Sequence, residues 1–155
     1  MSDDSPRRET FQLSIDRSIF GIQENRSEDE FPSPSWLDLE VDDVPVRVAR
    51  GAARFRSLVG THRTLMTIEV GRTHSPPPSG FELIGRERYT TYSGQARLCN
   101  INAPYDSFQL AQNSEYEFYA WRKGGDTAVA RHDEMLGVIY PIEGLEEYLL
   151  QFVEK

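Results

Sequence analysis

Three carboxylates, those of Asp38, Glu40 and Asp42, alternate with apolar residues. On a strand this spacing would place all three on one face, with successive carboxylates ~6.5–7 Å apart. Such a row can pair with arginines of a basic partner, whereas its regular spacing does not suit the converging ligands that calcium prefers. Two structural alternatives stay open, namely a solvated outer face and pairing with the chain's own Arg47 or Arg54.

The preceding stretch is also acidic and carries two aromatic residues. Four carboxylates lie between Glu24 and Glu30, which we expect to form a solvated loop, and Phe31 and Trp36 follow. Aromatic side chains ringed by charge are typical of interaction hot spots. The alternative for Trp36, which we favour, is that it begins a core strand. The candidate partner-binding residues of this stretch are Glu28, Asp29, Glu30, Phe31 and Trp36.

No residue pattern predicts catalysis, a metal site or a cofactor. The three histidines lack the paired spacing of metal ligands, and His132 beside Asp133 is expected in a hydrophilic turn. Cys99, the single cysteine, is expected to be a buried and inert thiol in a strand. Neither a Gly-x-Ser-x-Gly elbow nor a glycine-rich phosphate loop occurs. We therefore expect no enzyme activity, no metal and no cofactor.

Charge is sorted along the chain into three blocks. Residues 1–43 hold twelve acidic and four basic side chains, residues 44–97 hold three and nine, and residues 98–155 hold ten and four. A fold that gathers one sign on one face can steer a partner electrostatically. The net charge of −8 argues against direct nucleic-acid binding, which needs a basic face. No apolar run is long enough to span a membrane, and the cysteine usage suggests the cytoplasm.

Apolar and polar residues alternate with period two in several segments, which is the mark of half-buried strands. No ten-residue amphipathic helix pattern with caps at both ends occurs. The sequence therefore predicts an all-β fold, mainly an antiparallel β-sandwich of about eight to ten short strands. The alternating segments lie at 11–15, 19–23, 37–41, 44–48, 66–70, 81–92, 95–101, 116–121 and 146–153.

Loops and turns set the expected organisation. Residues 24–35 and 73–80 are irregular, and the second segment is stiffened by its prolines, Pro76 to Pro78. The pair Gly124-Gly125 is expected to turn a hairpin. For 146–153 we favour a strand, although a helix also fits the spacing of its apolar residues. The predicted organisation is an N-terminal tail, 1–9, and a single β-sandwich domain, 10–155.

The C-terminal third resembles a known family. The run from Ser114 to Asp126, Ser-Glu-Tyr-Glu-Phe-Tyr-Ala-Trp-Arg-Lys-Gly-Gly-Asp, is followed by Glu-Glu-Tyr-Leu-Leu-Gln-Phe at 146–152. This order resembles the closing pattern of small bacterial proteins similar to competence protein J. The resemblance implies a β-rich fold and a role like that of the founding type, which inhibits a DNA-entry nuclease. It transfers no functional residue.

Residues and resemblance together favour a small acidic binding protein of inhibitor or immunity type, whose partner is a basic protein such as a nuclease or toxin. Carboxylates can occupy the phosphate-binding surface of such a partner, with fast association that weakens in salt. Two alternatives stay open. One is a non-inhibitory interaction or regulatory module that uses exposed aromatics or the proline loop. The other is an enzyme or small-ligand binder with an unrecognised site.

Overall fold

The computed structural model describes residues 6–25, 35–41 and 44–155, which form ten strands, one α-helix and one turn of 3-10 helix. β1 begins inside the predicted tail, and the division into tail and single domain stays a prediction. In chain order the elements are β1 (Arg7–Ile15), β2 (Ile19–Glu24), the 3-10 turn (Trp36–Asp38), β3 (Val46–Ala49), β4 (Ala52–Arg56), β5 (His62–Gly71), β6 (Phe81–Thr90), β7 (Gln95–Cys99), β8 (Pro104–Gln109), β9 (Glu115–Lys123), α1 (Ala128–Met135) and β10 (Glu143–Glu154).

The strands form two five-stranded sheets. Sheet A has the order β1-β5-β10-β9-β6, and sheet B has the order β3-β4-β2-β7-β8. Neighbouring strands are antiparallel except β5 and β10, which are parallel; β10 follows β9 through α1 and lies between β5 and β9. The prediction of an all-β, sandwich-like fold is confirmed, with this one parallel pair.

The period-two pattern decides which face each strand buries. In β9 the side chains of Tyr116, Phe118 and Ala120 are buried between the sheets, while Tyr119 and Trp121 lie on the outer face. Successive side chains of a strand point to opposite faces, so the apolar set of each strand defines its inner side. The strand predicted at 146–153 is confirmed by β10, which departs from this rule because residues 148–152 are buried on both faces of the strand.

Aromatic rings fill the space between the sheets. Phe20 and Phe55 of sheet B stack with ring centroids 4.7 Å apart, and Tyr148 of sheet A meets Phe20 edge-on at 4.8 Å. Phe152 of β10 is the centre of a second group, with centroid distances from 4.9 to 5.9 Å. Rings at these separations gain edge-to-face energy beyond their buried area. The rings around Phe152 are Tyr89, Phe108, Tyr116 and Phe118.

The predicted strand at 37–41 is wrong. Trp36–Asp38 form a 3-10 turn, and residues 39–41 belong to no strand. The Ser35 side chain accepts the N–H of Leu37 at 3.3 Å, and this local bond favours the turn over an extended chain. The strand predicted from Val44 begins instead at Val46.

The predicted hairpin at Gly124-Gly125 is also wrong. Gly124 does end β9 with a φ of +87°, but the chain continues into the short helix α1. Sequence patterning did not predict this helix because it buries only Ala128, so it has no apolar stripe. The helix places residues 136–142 beside the end of the sandwich.

We predict that Phe152→Ala lowers the free energy of unfolding by about 3–5 kcal/mol, because the lost ring leaves a cavity among four aromatic neighbours. Urea denaturation followed by fluorescence measures this. The matched control is Leu65→Ala, whose side chain is 44% exposed and should cost under about 0.5 kcal/mol. Equal losses for the two variants would show that Phe152 is not the centre of the core.

Candidate protein-binding surface

The acidic segment, residues 35–41, packs on the outer face of sheet B through the side chain of Trp36. Trp36 is 5% exposed and packs with Ala52 and Cys99 in a small apolar cluster. It lies directly over Gly21, where an added Cβ would come within 2.3 Å of the indole carbon Cε3. Trp36 is therefore an anchor within the chain, and its assignment as a partner-contacting aromatic stays a prediction.

Two arginines of sheet B fix the same segment through its backbone. Arg54 donates from Nη1 to the carbonyl oxygens of Leu37 at 2.8 Å and Leu39 at 2.9 Å, and Arg47 donates to that of Glu40 at 2.7 Å. The guanidinium groups thus bind carbonyls, and neither makes an ion pair with a carboxylate of the acidic segment. The exposed Asp38 and Glu40 have no ion-pair partner in the described part of the chain.

Ion pairs show which blocks of sequence neutralise each other. Four pairs join arginines of the basic block 44–97 to carboxylates of the block 98–155. By contrast, the described carboxylates of residues 6–25 and 35–41 make no ion pair with a described residue. The negative charge of the N-terminal block is therefore not cancelled by this network. The four pairs are Arg63–Glu143, Arg72–Glu154, Arg86–Glu117 and Arg88–Glu115.

The structure covers only part of the predicted binding set. Asp38 and Glu40 are exposed on the acidic segment. The remaining acidic and aromatic candidates, Asp42, Glu28, Asp29, Glu30 and Phe31, lie outside the described residues.

Glu24 departs from its prediction as part of a solvated loop. It ends β2 and is 1% exposed, and its carboxylate accepts the Tyr89 hydroxyl at 2.6 Å and the N–H groups of Tyr92 and Gly94 at 2.8 and 2.7 Å. Burial, followed by the neighbouring charge of Glu24, raises the pKa of Tyr89 well above its usual value. This buried carboxylate joins β2, β6 and the β6–β7 turn, so it is structural.

An apolar loop that sequence reasoning missed lies at one end of the sandwich. The loop, residues 136–140, follows α1 and contains four exposed large apolar side chains. It borders a cavity of about 550 Å³, here called the loop cavity. The run Leu-Gly-Val-Ile-Tyr-Pro between acidic residues was the available signal, but it has neither helical nor strand periodicity. The exposed side chains are those of Leu136, Val138, Ile139 and Tyr140.

A second cavity adjoins the first. It measures about 330 Å³ and is lined by Trp36, Leu37 and Arg97 among others. Asn100 and Asn102, in the turn between β7 and β8, line both cavities. The acidic segment and the apolar loop therefore border adjacent parts of one surface.

The interior near the loop holds a group of residue types found in hydrolases. Ser57 donates from Oγ to Glu146 Oε1 at 2.5 Å and lies 2.8 Å from Nε2 of His62. In a Ser-His-acid triad the histidine stands between serine and acid and takes the serine proton. Here the serine binds the carboxylate directly and is only 3% exposed. The cluster ties the β4–β5 turn to β10 and lacks the order that activates a nucleophile.

The Glu146 carboxylate is held ionised by its neighbours. Desolvation raises its pKa, but hydrogen bonds from His62, Ser57, the Leu58 N–H and the Tyr148 hydroxyl outweigh it and lower the pKa below the usual range. Burial and the charge of Glu146 in turn raise the pKa of Tyr148. A carboxylate with several donors is stabilised in its charged form.

His132 and Cys99, the remaining titratable candidates, do not belong to a functional site in the described part of the chain. His132 lies in α1 with Nδ1 3.7 Å from Asp133, and not in the predicted turn. Cys99 is a buried free thiol in β7, and burial raises its pKa to about 11. Across residues 6–25, 35–41 and 44–155, no group of three or more metal-ligating side chains could hold an ion. Within the same ranges, no helix has the length and apolar character to cross a membrane.

Comparison with known proteins gives likeness in structure and none in sequence. No family model and no curated protein matches this chain. The solved structure of ComJ from Bacillus subtilis, described as an inhibitor of the DNA degrading activity of NucA, aligns with 97% of this chain and 98% of its own, with a TM-score of 0.64 and 16% identity. This likeness shows a shared fold. A chain described as crocagin biosynthetic gene J aligns over 97% and 99% with a TM-score of 0.48 and 9% identity, which carries no argument.

We predict that Glu146→Gln lowers the free energy of unfolding by about 1–3 kcal/mol at neutral pH, because the bonded donors lose an ionised acceptor. The pKa of Glu146 is lowered in the folded chain, so its stabilisation is present above the usual value of 4.5 and is lost as the pH falls through the folded value. The difference in free energy of unfolding between wild type and Glu146→Gln should therefore become smaller as the pH is lowered. Urea titrations at a series of pH values measure it.

The control for that series is Glu87→Gln, on an exposed residue of β6 that has no ion pair in the described part of the chain. The result that contradicts the prediction is a difference in free energy of unfolding between wild type and Glu146→Gln that stays constant or grows in acid. It would mean that the Glu146 carboxylate is not preferentially ionised in the folded state.

Proposed function

We propose that this chain is a bacterial inhibitor-type protein that binds a basic partner protein, a DNA-degrading nuclease, through the acidic segment. The observation that carries the proposal is that Asp38 and Glu40 are exposed and have no ion-pair partner among the described residues, while Arg47 and Arg54 bind the segment's carbonyls. The segment therefore presents negative charge from a fixed backbone. Its likeness in fold to an inhibitor of a DNA-degrading activity supports the same proposal.

The physical basis is competition for a surface built to bind phosphate. A nuclease must offer positive charge to a polyanion, and fixed carboxylates can occupy that charge without being cleaved. Fixing the segment in advance lowers the ordering cost of binding. Association should be fast at low salt and should slow as salt screens the charges.

The alternative of a module that binds through the proline loop has weaker support. His74 in that loop stacks on Tyr119 at 4.1 Å, and Gln151 donates to the Ser75 carbonyl at 2.8 Å. These groups already bind one another across the outer face of sheet A. The same face carries the ion pairs Arg86–Glu117 and Arg88–Glu115, which neutralise it.

We further propose that the inhibitor acts in the cytoplasm. Cys99 is the only cysteine and is a free, buried thiol, and this usage fits a reducing compartment.

The first test uses the chain as bait in extracts of its source organism, with elution in steps of rising salt and identification by mass spectrometry. We expect a basic nuclease to elute at moderate salt, and the eluted nuclease to lose its DNA-degrading activity when the chain is added back. Partners that resist salt and have no nuclease activity would contradict the proposal.

We predict that Asp38→Lys and Glu40→Lys each weaken binding of the captured nuclease by roughly tenfold or more in Kd, because like charges facing each other in an interface cost several kcal/mol. Surface plasmon resonance at low and high salt measures it, and most of the loss should lie in the association rate at low salt. Glu87→Lys makes the same charge change on the edge strand β6 and should leave the Kd within about twofold. If all three substitutions weaken binding equally, the acidic segment is not the surface that binds the nuclease.

A further inference from the structure

We propose that the apolar loop and the loop cavity form a second half of the partner-binding surface, and that the cavity takes a basic side chain of the nuclease. This inference rests on the proposed function, since its occupant is the same basic partner. It adds the apolar anchor and the cation site that the acidic segment lacks.

The apolar loop is a cluster of exposed apolar side chains. Leu136 is 63% exposed, Val138 78%, Ile139 52% and Tyr140 94%. Single exposed apolar residues are normal on a protein surface, but a contiguous group marks an interaction site. Four such residues within five positions form a contiguous group.

The loop backbone is fixed. The N–H groups of Val138 and Ile139 both donate to the Met135 carbonyl, at 2.9 and 3.0 Å. Immediately after the loop, the Ile142 carbonyl accepts the Arg63 N–H at 2.8 Å, and the Ile142 side chain is buried with Val59, Ala128 and Leu145. The apolar side chains are thus presented from a backbone held at both ends, which lowers the cost of ordering them in a complex.

The charge around the loop selects the kind of partner. Residues 126–143 hold four exposed carboxylates and one arginine, Arg131, whose guanidinium donates to the Gly144 carbonyl at 3.1 Å. A second copy of this chain would bring the same acidic rim against itself, which is unfavourable. A basic surface complements the rim. The four carboxylates belong to Asp126, Asp133, Glu134 and Glu143.

The loop cavity has groups that suit a cation. Asp16 lines it and makes no ion pair with a described residue. Among the described residues its carboxylate accepts from two neutral donors, the Thr61 hydroxyl at 3.1 Å and the Asn102 amide at 3.4 Å. The rings of Tyr105 and Tyr140 also line the cavity, and both side chains are exposed.

Arg63 is the cavity's own cation and is paired with Glu143 at 3.3 Å. A guanidinium or ammonium entering beside the tyrosine rings gains cation–π energy, and Asp16 supplies the opposite charge. About 550 Å³ lies within the range of pockets that hold small ligands, so one basic side chain fits.

The test measures the concentration of chain that halves DNA degradation by the captured nuclease. The double variant Val138→Ser with Tyr140→Ser should raise that concentration by roughly a hundredfold, because hot-spot side chains carry most of the binding energy. Asp16→Asn keeps an acceptor for Thr61 while removing the charge, and should raise it by roughly tenfold with a weaker salt dependence. The control, Leu65→Ser, changes an exposed apolar residue of sheet A and should leave it unchanged.

The outcomes separate the two proposals. If wild type inhibits and both loop-cavity variants inhibit equally well, this inference fails and the proposed function stands. If wild type does not slow DNA degradation, the proposed function fails and this inference fails with it. The unfolding midpoint of each variant is measured as well. The inference requires that a variant lose inhibition while its midpoint equals that of wild type. A loss of inhibition with a lowered midpoint would mean misfolding and would overturn the loop as a contact surface.

Discussion

Packing of aromatic rings between the two sheets is the interaction on which the rest of the structure depends. Rings of both sheets form a continuous set of contacts across the interior, namely those of Phe20 and Phe55 from sheet B and of Tyr148, Phe118 and Phe152 from sheet A. Because this space is filled by side chains, the strands are fixed relative to one another. The surfaces that can contact a partner are the segments attached to the outside of the sandwich.

Two buried carboxylates secure the ends of this core. Glu24 accepts hydrogen bonds that join β2 to β6 and the turn after it, and Glu146 joins β10 to the β4–β5 turn. Each carboxylate replaces water with hydrogen-bond donors, which is the condition for burying a charge at acceptable cost. The Glu146 cluster adjoins the apolar group that contains Ile142, because Ser57 Oγ accepts the N–H of Val59 in that group.

Period-two patterning predicted most strands because an inner and an outer face suffice to define a strand in a sandwich. It failed at 37–41, where leucines and carboxylates alternate but the chain forms a 3-10 turn followed by residues outside any strand. There Trp36 packs over the bare backbone of Gly21, and arginines from another part of the chain bind the carbonyls. Such contacts join residues distant in sequence, so local patterning cannot show them.

The buried state of Glu24 and the helix α1 escaped prediction for the same reason. Tyr89, Tyr92 and Gly94, which bind the Glu24 carboxylate, are far along the chain, and α1 buries one alanine only. The resemblance of the closing strands to competence protein J-like proteins gave information that patterning lacked, since the whole fold matches that of ComJ.

Charge sorting in the sequence has a simple outcome in three dimensions. Four arginines of the basic middle block form ion pairs with carboxylates of the C-terminal block across sheet A, and the described N-terminal carboxylates remain without ion-pair partners among the described residues. Surface ion pairs add little stability, so this arrangement matters mainly for the field that a partner meets. The acidic segment, which exposes Asp38 and Glu40, borders the smaller cavity through Trp36 and Leu37, and that cavity adjoins the loop cavity.

Hydrogen–deuterium exchange of the chain, free and bound to the captured nuclease, tests most directly whether the attached segments form the interface. We expect binding to slow exchange in residues 35–41, 100–103 and 136–142 and to leave residues 73–80 unchanged. Protection confined to residues 73–80, on the outer face of sheet A, would contradict it.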